Sequence, residues 1–232
     1  MRLENFDDFC TILKTNGFSM GGGNPKGIYS VVPFTWENQD GLDTPVRWHT
    51  GDPETDPWEW RMRVLEERND IAYSKLFFGT SGFITDEWYP YFYSLRRKGM
   101  TFEETYESGL ISNIAKRVYD IISKEDVIAF HEIKKVGGFT RDENSAFERV
   151  ITELQMKMFI TMCGRTQRMN AIGMGYGWNI SMFTTVERFW EERDVYLDDV
   201  DPDEAYEKIK KRILFLNPTA EEKTINKFIF GK

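Results

Sequence analysis

The stretch "FTRDENSAFERVITELQMKM", Phe139–Met158, decides the fold. Phe147, Val150, Ile151, Leu154 and Met158 recur at the 3.6-residue spacing of a helix with one apolar face. Ahead of it, "SKEDVIAFHEIKKVGG" predicts a helix capped by Ser123, with Val127, Phe130, Ile133 and Val136 on one side and Gly137-Gly138 as its stop. Behind it, "FITMC", a glycine-rich loop and "WNISMFTT" predict a strand, a wing and a strand. Helix, turn, helix, strand, loop, strand is the order of a winged helix.

The same order recurs upstream in weaker form. Asp56 caps a helix running to about Arg68, with Pro57 in its first turn and Glu59 set to complete a capping box. "DIAYSKLFF", the loop "GTSG" and "FIT" then predict a hairpin. A helix over 4–15 closes at Asn16-Gly17, Thr85 caps "DEWYPYFYSLRR", and Thr101 with Glu104 forms a second capping box. Short helices follow over 102–108 and 110–122. Asp201-Pro202 opens another, with Ala205, Tyr206, Ile209, Ile213 and Leu216 on one stripe, and Asn217-Pro218 ends it before a short terminal helix. The expected class is α+β and mainly helical, with tandem winged-helix-type modules bearing hairpin wings. The expected divisions are an N-terminal helix, loop and degenerate first module over 1–100, a second module over 101–190, and an acidic linker with terminal helices over 191–232.

The 232 residues are 41% apolar, enough for a sizeable core and too many for general disorder. No apolar run approaches the roughly 18 residues of a membrane span. The opening residues lack the pattern of a secretory leader, so a cytoplasmic protein is expected. Cys10 and Cys163 belong to no CxxC pair and read as reduced thiols. "HEIKK" at His131 lacks the second histidine of a zinc protease, and no ligand cluster predicts a metal. "MGGGNPKG", from Met20, lacks the GK[ST] ending of a phosphate loop, and "GMGYGW", from Gly173, has the wrong spacing for a dinucleotide fingerprint. No cofactor is expected.

The net charge of −8 opposes non-specific affinity for nucleic acid, but charge is uneven. Residues 187–207 hold ten acids against Arg188 and Arg193, a stretch suited to a protein partner. Residues 140–170 hold five bases against four acids. There the helix presents Ser145, Arg149, Thr152 and Met156 outward, flanked by Glu148, Glu153 and Gln155. Arg141 and Asn144 precede that face, and the wing carries Arg165, Gln167, Arg168 and Asn170. These side chains suit phosphates and base edges, whereas the glutamates and ordinary i,i+4 pairing suit a solvated face. Tyr176 or Trp178 near the wing could stack on a base or cover the core.

A second candidate is an aromatic cleft for a small molecule, formed by Trp48, His49, Trp58, Arg61, Tyr73 and Lys75. On the helix from Pro57, Trp58, Met62 and Leu65 form one stripe and Trp60 and Val64 another, with Arg61 and Arg68 between them. Glu59, Arg63, Glu66 and Glu67 fill the wet face. An enclosed arginine needs a partner, and Asp52, Glu54 or Asp56 is the expected clamp for Arg61. The alternative is an anion grip beside aromatic walls. His49 is a loop strut or a proton carrier. Lys75 shares a strand face with Ile71, Tyr73 and Phe77, and either snorkels or serves as a base or nucleophile.

"DPDEAYEKIKKRILFLNPTAEEKTINKFIFGK", Asp201–Lys232, resembles the segment joining the second and third modules of the AlkZ/YcaQ-type winged-helix DNA glycosylases. "ITELQMKMFITMCG" resembles their recognition helix running into its wing. The resemblance covers roughly residues 110–232. It implies stacked winged helices, a concave surface for duplex DNA and a role in DNA repair. That family's Gln-x-Gln or Gln-x-Asp motif, which positions the attacking water, has no counterpart. Gln39, Gln155 and Gln167 are followed by "DG", "MK" and "RM". The resemblance therefore carries over no catalytic residue, and glycosylase activity is not expected.

Overall fold

The structure, a computed structural model, describes residues 2–22, 27–32, 44–169, 175–197 and 200–231, with only the backbone of 168–169 and 175–178. In chain order the elements are α1 (Phe6–Asn16), β1 (Phe18–Met20), α2 (Pro57–Glu67), β2 (Ile71–Phe77), β3 (Thr80–Thr85), α3 (Tyr89–Arg97), α4 (Phe102–Glu107), α5 (Asn113–Lys124), β4 (Ile128–Ala129), α6 (Phe130–Val136), α7 (Asn144–Met156), β5 (Ile160–Met169), β6 (Gly175–Thr185), α8 (Val186–Glu191), α9 (Pro202–Leu216) and α10 (Glu222–Phe230). The helices accompany two small antiparallel sheets, ordered β1-β3-β2 and β4-β6-β5. Two compact units result: Met1–Lys98 with Leu197–Lys232, and Gly99–Tyr196. No described helix is long and apolar enough to cross a membrane.

In the first unit, the Asn5 side chain caps α1 by accepting from the Asp8 amide at 2.9 Å. Gly17 ends α1 at φ 93°, and a Cβ there would lie 2.4 Å from the Trp88 ring. Strands β2 and β3 meet through Phe78 and Gly79, whose φ values of 53° and 71° make the two-residue turn that matches strand twist. The expected loop at 79–82 is thus mostly strand. Gly82 sits inside β3, where a Cβ would lie 2.8 Å from the Ser19 carbonyl oxygen. Close packing of β1 on β3 requires glycine there. Lys14 ties α1 to the hairpin's open end, 3.3 Å from Asp70 and 2.7 Å from Asp86.

Three expectations for this unit need correction. Thr85 does not cap a helix: it pairs with Ile71 in the sheet, and α3 begins only at Tyr89. The Glu59 capping box does not close, because the Asp56 amide donates to the Asp52 carbonyl at 2.9 Å. Trp58 is 44% exposed, whereas Trp60 is 1% exposed and fills the core.

The core lies where α3 and α10 meet the sheet. Phe77 stacks on Phe228 at 3.8 Å, and Phe18 meets Phe92 edge-on at 5.4 Å. Arg96 of α3 crosses this cluster. It donates to the Leu76 carbonyl on β2 at 2.8 Å, and to the Phe228 and Ile229 carbonyls of α10 at 2.8 and 2.9 Å. The last two belong to the helix's final turn, whose carbonyls have no partner within the helix. Burial pushes the guanidinium down to about 9, and the convergent carbonyls hold it charged.

In the second unit, the Thr101/Glu104 capping box forms as expected. Ser123 does not cap the next helix. It belongs to α5, which starts from a Ser112 cap, and Ile128–Ala129 pair with β6 before α6 begins. Val127 and Val136, expected inward, are 38% and 67% exposed. The helix pattern broke here because two residues left it to add an edge strand. Gly137 and Gly138 end α6, with Gly138 at φ 62° and a Cβ on Gly137 falling 2.3 Å from the Phe139 ring. Phe147 packs on Phe130 at 5.1 Å and on Phe139 at 4.8 Å.

Replacing Arg96 with Ala should lower stability by roughly 3–5 kcal/mol, since three enclosed carbonyls lose a charged donor together. Urea unfolding followed by circular dichroism measures this, and an effect below about 1 kcal/mol would remove Arg96 from the keystone role.

Candidate nucleic-acid interface

Helix α7 is entered through Thr140–Glu143. The Glu143 carboxylate accepts from the Thr140 amide at 3.0 Å and from the Thr140 hydroxyl at 3.2 Å, and Arg117 approaches it at 3.3 Å. The Thr140 amide, above all, holds this carboxyl below its ordinary range. The helix then buries Phe147, Val150, Ile151 and Leu154, as its spacing predicts. Its exit is less legible. Met158 takes φ 58°, the Met158 amide donates to Gln155 at 3.0 Å, and the Phe159 amide donates to Leu154 at 2.9 Å. This is the two-bond helix stop usually built on glycine. Complete burial of the Met158 side chain offsets the left-handed backbone, which costs about 1 kcal/mol.

The outward face is composed as follows. Arg141, Ser145, Glu148 and Arg149 are exposed, and Asn144, Thr152, Glu153 and Met156 are half-buried. The guanidinium groups of Arg141 and Arg149 have no partner among the described residues. Glu153 is engaged by Lys157 at 3.5 Å. The Thr152 hydroxyl bonds back to the Glu148 carbonyl at 3.0 Å. The Asn144 side-chain oxygen is buried without a partner among the described residues. Gln155, expected on this face, is instead fully buried and donates to the Ile151 carbonyl at 2.9 Å.

Strands β5 and β6 follow as a long hairpin, extending well beyond "FITMC" and "WNISMFTT". Arg165 is half-buried opposite Ser181, and Gln167 is exposed at a register irregularity between Thr166 and Arg168. The side chains of Arg168, Tyr176 and Trp178, and all of Asn170, lie outside the described residues, as do Gln39 and much of "MGGGNPKG". Cys163 lies on β5. The acidic stretch starts on α8, where Arg188 reaches back to the Ser123 carbonyl at 3.4 Å and stands 3.7 Å from Asp126.

The aromatic residues of the first unit are only partly gathered. His49 and Trp58 have ring centroids 4.8 Å apart, Trp48 lies 6.2 Å from His49, and the Arg61 guanidinium sits 3.2 Å from the Trp58 centroid. Tyr73 is buried at 2% exposure against Phe83, and Lys75 is half-buried on β2 opposite Ser81. The clamp expected for Arg61 belongs to Arg63, placed by the helical wheel on the wet face. Arg63 lies over the Phe6 ring at 4.0 Å and binds Glu54 at 3.0 Å and Glu67 at 2.7 Å. Arg68 pairs with Asp70 at 2.8 Å. Asp56 is fully buried and accepts from the amides of His49, Gly51 and Trp58 at 3.0, 2.8 and 2.8 Å. Its cap-like sequence position signalled one of those bonds and not the other two.

His131 is half-buried with Nδ1 unpartnered among the described residues, and those residues contain no group of three His, Cys, Asp or Glu able to hold a metal. The chemistry available on these surfaces is therefore cationic and aromatic recognition.

Helices with two small antiparallel sheets, each built on a hairpin that follows a helix, define an α+β class of protein. Within that class the chain belongs to the AlkZ-related family, whose model matches residues 3–230. Among solved structures it is similar to the Streptomyces sahachiroi DNA glycosylase AlkZ, with 16% identity and a TM-score of 0.41, over 76% of this chain and 51% of that one. The chain thus spans about half the length of that structure. A comparison with curated proteins finds no match.

Cys10 is buried and Cys163 half-buried, both are free thiols, and desolvation pushes each up from 9.0 to about 12. The folded chain therefore keeps protons that the unfolded chain releases, and this contribution to stability is lost as pH rises from about 9 toward about 12. Ellman's reagent at pH 8 should react slowly with native protein and rapidly, at two thiols, in guanidinium. Fast native reaction would contradict the burial argument.

Proposed function

We propose that this chain is a duplex-DNA-associated protein of the DNA-repair type, built from winged-helix modules within residues 1–100 and 101–190 and without base-releasing activity of its own. The observation that carries the reading is the pair of exposed guanidinium groups, Arg141 and Arg149, without a partner among the described residues, on and just ahead of the helix that enters the β5–β6 hairpin. The element order supports it. In each sheet a short strand pairs with the last strand of a hairpin that follows a helix. Membership in a family described as related to AlkZ, itself a DNA glycosylase, supports a DNA ligand.

In this reading Arg149 contacts phosphate from α7, Arg165 and Arg168 do so from the hairpin, and Arg141, Asn144, Ser145, Thr152 and Gln167 add further contacts. Gln155 is withdrawn from any water-positioning role by burial, and Gln167 lacks the second polar residue of the motif.

Against a net charge of −8, only a local basic face can hold a duplex, so binding is weak and falls with salt. The slope of log affinity against log salt should be near −0.9 for each phosphate neutralised. Arg149→Ala with Arg165→Ala should weaken binding of all duplex sequences alike, because backbone contacts carry no base information. Fluorescence anisotropy of a labelled duplex at low salt reads this. Binding by the double variant equal to wild type sinks the reading.

A further inference from the structure

Arg61 is the cation that its own loop leaves unused. Three acids of the loop before α2 precede it, Asp52, Glu54 and Asp56, and each is committed elsewhere. Asp52 accepts from the Thr55 hydroxyl at 2.7 Å and the Glu54 amide at 3.0 Å. Glu54 is held by Arg63, and Asp56 by three amides. The Arg61 Nε donates to the Trp58 carbonyl at 2.8 Å, which lays the guanidinium over the indole. Its Nη groups have no partner among the described residues. Trp58 beneath it is the exposed one among the described tryptophans. His49, also exposed, takes a left-handed backbone at φ 61°, its amide donates to the Asp56 carboxylate, and its ring lies beside the same indole.

A solvent-facing aromatic pair with a stacked guanidinium and free donors matches one ligand chemistry closely: a planar base joined to a phosphate. Indole and guanidinium planes both stack on bases without regard to sequence. The free Nη pair suits two oxygens of one phosphate. Duplex DNA hides its base faces, so the nucleotide must be unpaired. We infer that the His49–Trp58–Arg61 cluster is a binding site for an unpaired nucleotide of a DNA strand, the base stacking on the exposed ring and guanidinium planes and its phosphate taking the Nη donors of Arg61. The choice of a strand over a free nucleotide rests on the DNA reading above. Asp56 is a positioning residue for this site, acting through the His49 and Trp58 backbone.

The test is anisotropy of labelled oligothymidylate with full-length protein at low salt. Trp58→Ala and Arg61→Ala should each weaken binding about tenfold or more, and Trp58→Phe should keep most of it. Both alanine variants should bind duplex within about twofold of wild type. Because Trp58 is exposed, the variants should keep the wild-type circular dichroism. Equal binding of oligothymidylate by wild type and both alanine variants overturns the inference. So does inhibition by thymidine monophosphate as effective, per nucleotide, as the strand. A wild type that binds oligothymidylate through Trp58 but ignores duplex overturns the duplex reading and supports this one.

Discussion

The guanidinium of Arg96 is the constraint on which the first unit depends. It joins a strand, β2, to a helix that arrives more than a hundred residues later, α10, by donating to carbonyls of both. A helix C-terminus packed into a core leaves carbonyls that its own amides cannot reach. Capping residues solve that locally for most helices. Here α10 is capped on its end by Gly231 at φ 65° and from the side by Arg96. The aromatic cluster of Phe18, Phe77, Phe92 and Phe228 can close only with those carbonyls satisfied, so a polar group organises the densest apolar part of the unit.

A similar economy of partners shapes the surface. In the loop before α2, the acids are distributed among backbone amides, a hydroxyl and Arg63. Helical position alone suggested that Arg61 would be enclosed and Arg63 solvated. The reverse occurs because Phe6 offers Arg63 an aromatic face while Trp58 turns outward and takes Arg61 with it. One interchange of partners converts an expected structural clamp into an available cation. On α7 the corresponding logic is simpler. Glu143 and Glu153 are occupied by Arg117 and Lys157, and Arg149 has no carboxylate partner among the described residues.

Much of the helical framework was legible in the residues. Asp56, Thr101 and Asp201 each cap a helix through their side chains where the sequence placed a start, whereas the caps at Asn5 and Ser112 lay inside the ranges read as helix. Misreadings occurred where two periods compete over a short span. Val127, Phe130, Ile133 and Val136 satisfy a helical pattern, yet Ile128–Ala129 leave it to pair with Phe183 and Met182. That pairing is supplied by a strand more than fifty residues away, which no local window contains. Thr85 misled in the same manner, its capping chemistry overridden by a place in the sheet.

The sequence by itself determined the starts of α2, α4 and α9, the apolar face of α7, and that two hairpins each follow a helix, because these depend on neighbours within a few residues. The family relationship also extends from that pattern over nearly the whole chain. Only the tertiary structure decided that α9 and α10 pack with the first 98 residues, that Gln155 is buried, and which arginines keep a partner. The physical reason is that charge pairing and burial are settled by whichever groups meet in space. A guanidinium can be satisfied by any carbonyl, carboxylate or ring it reaches, and sequence spacing does not rank those competitors.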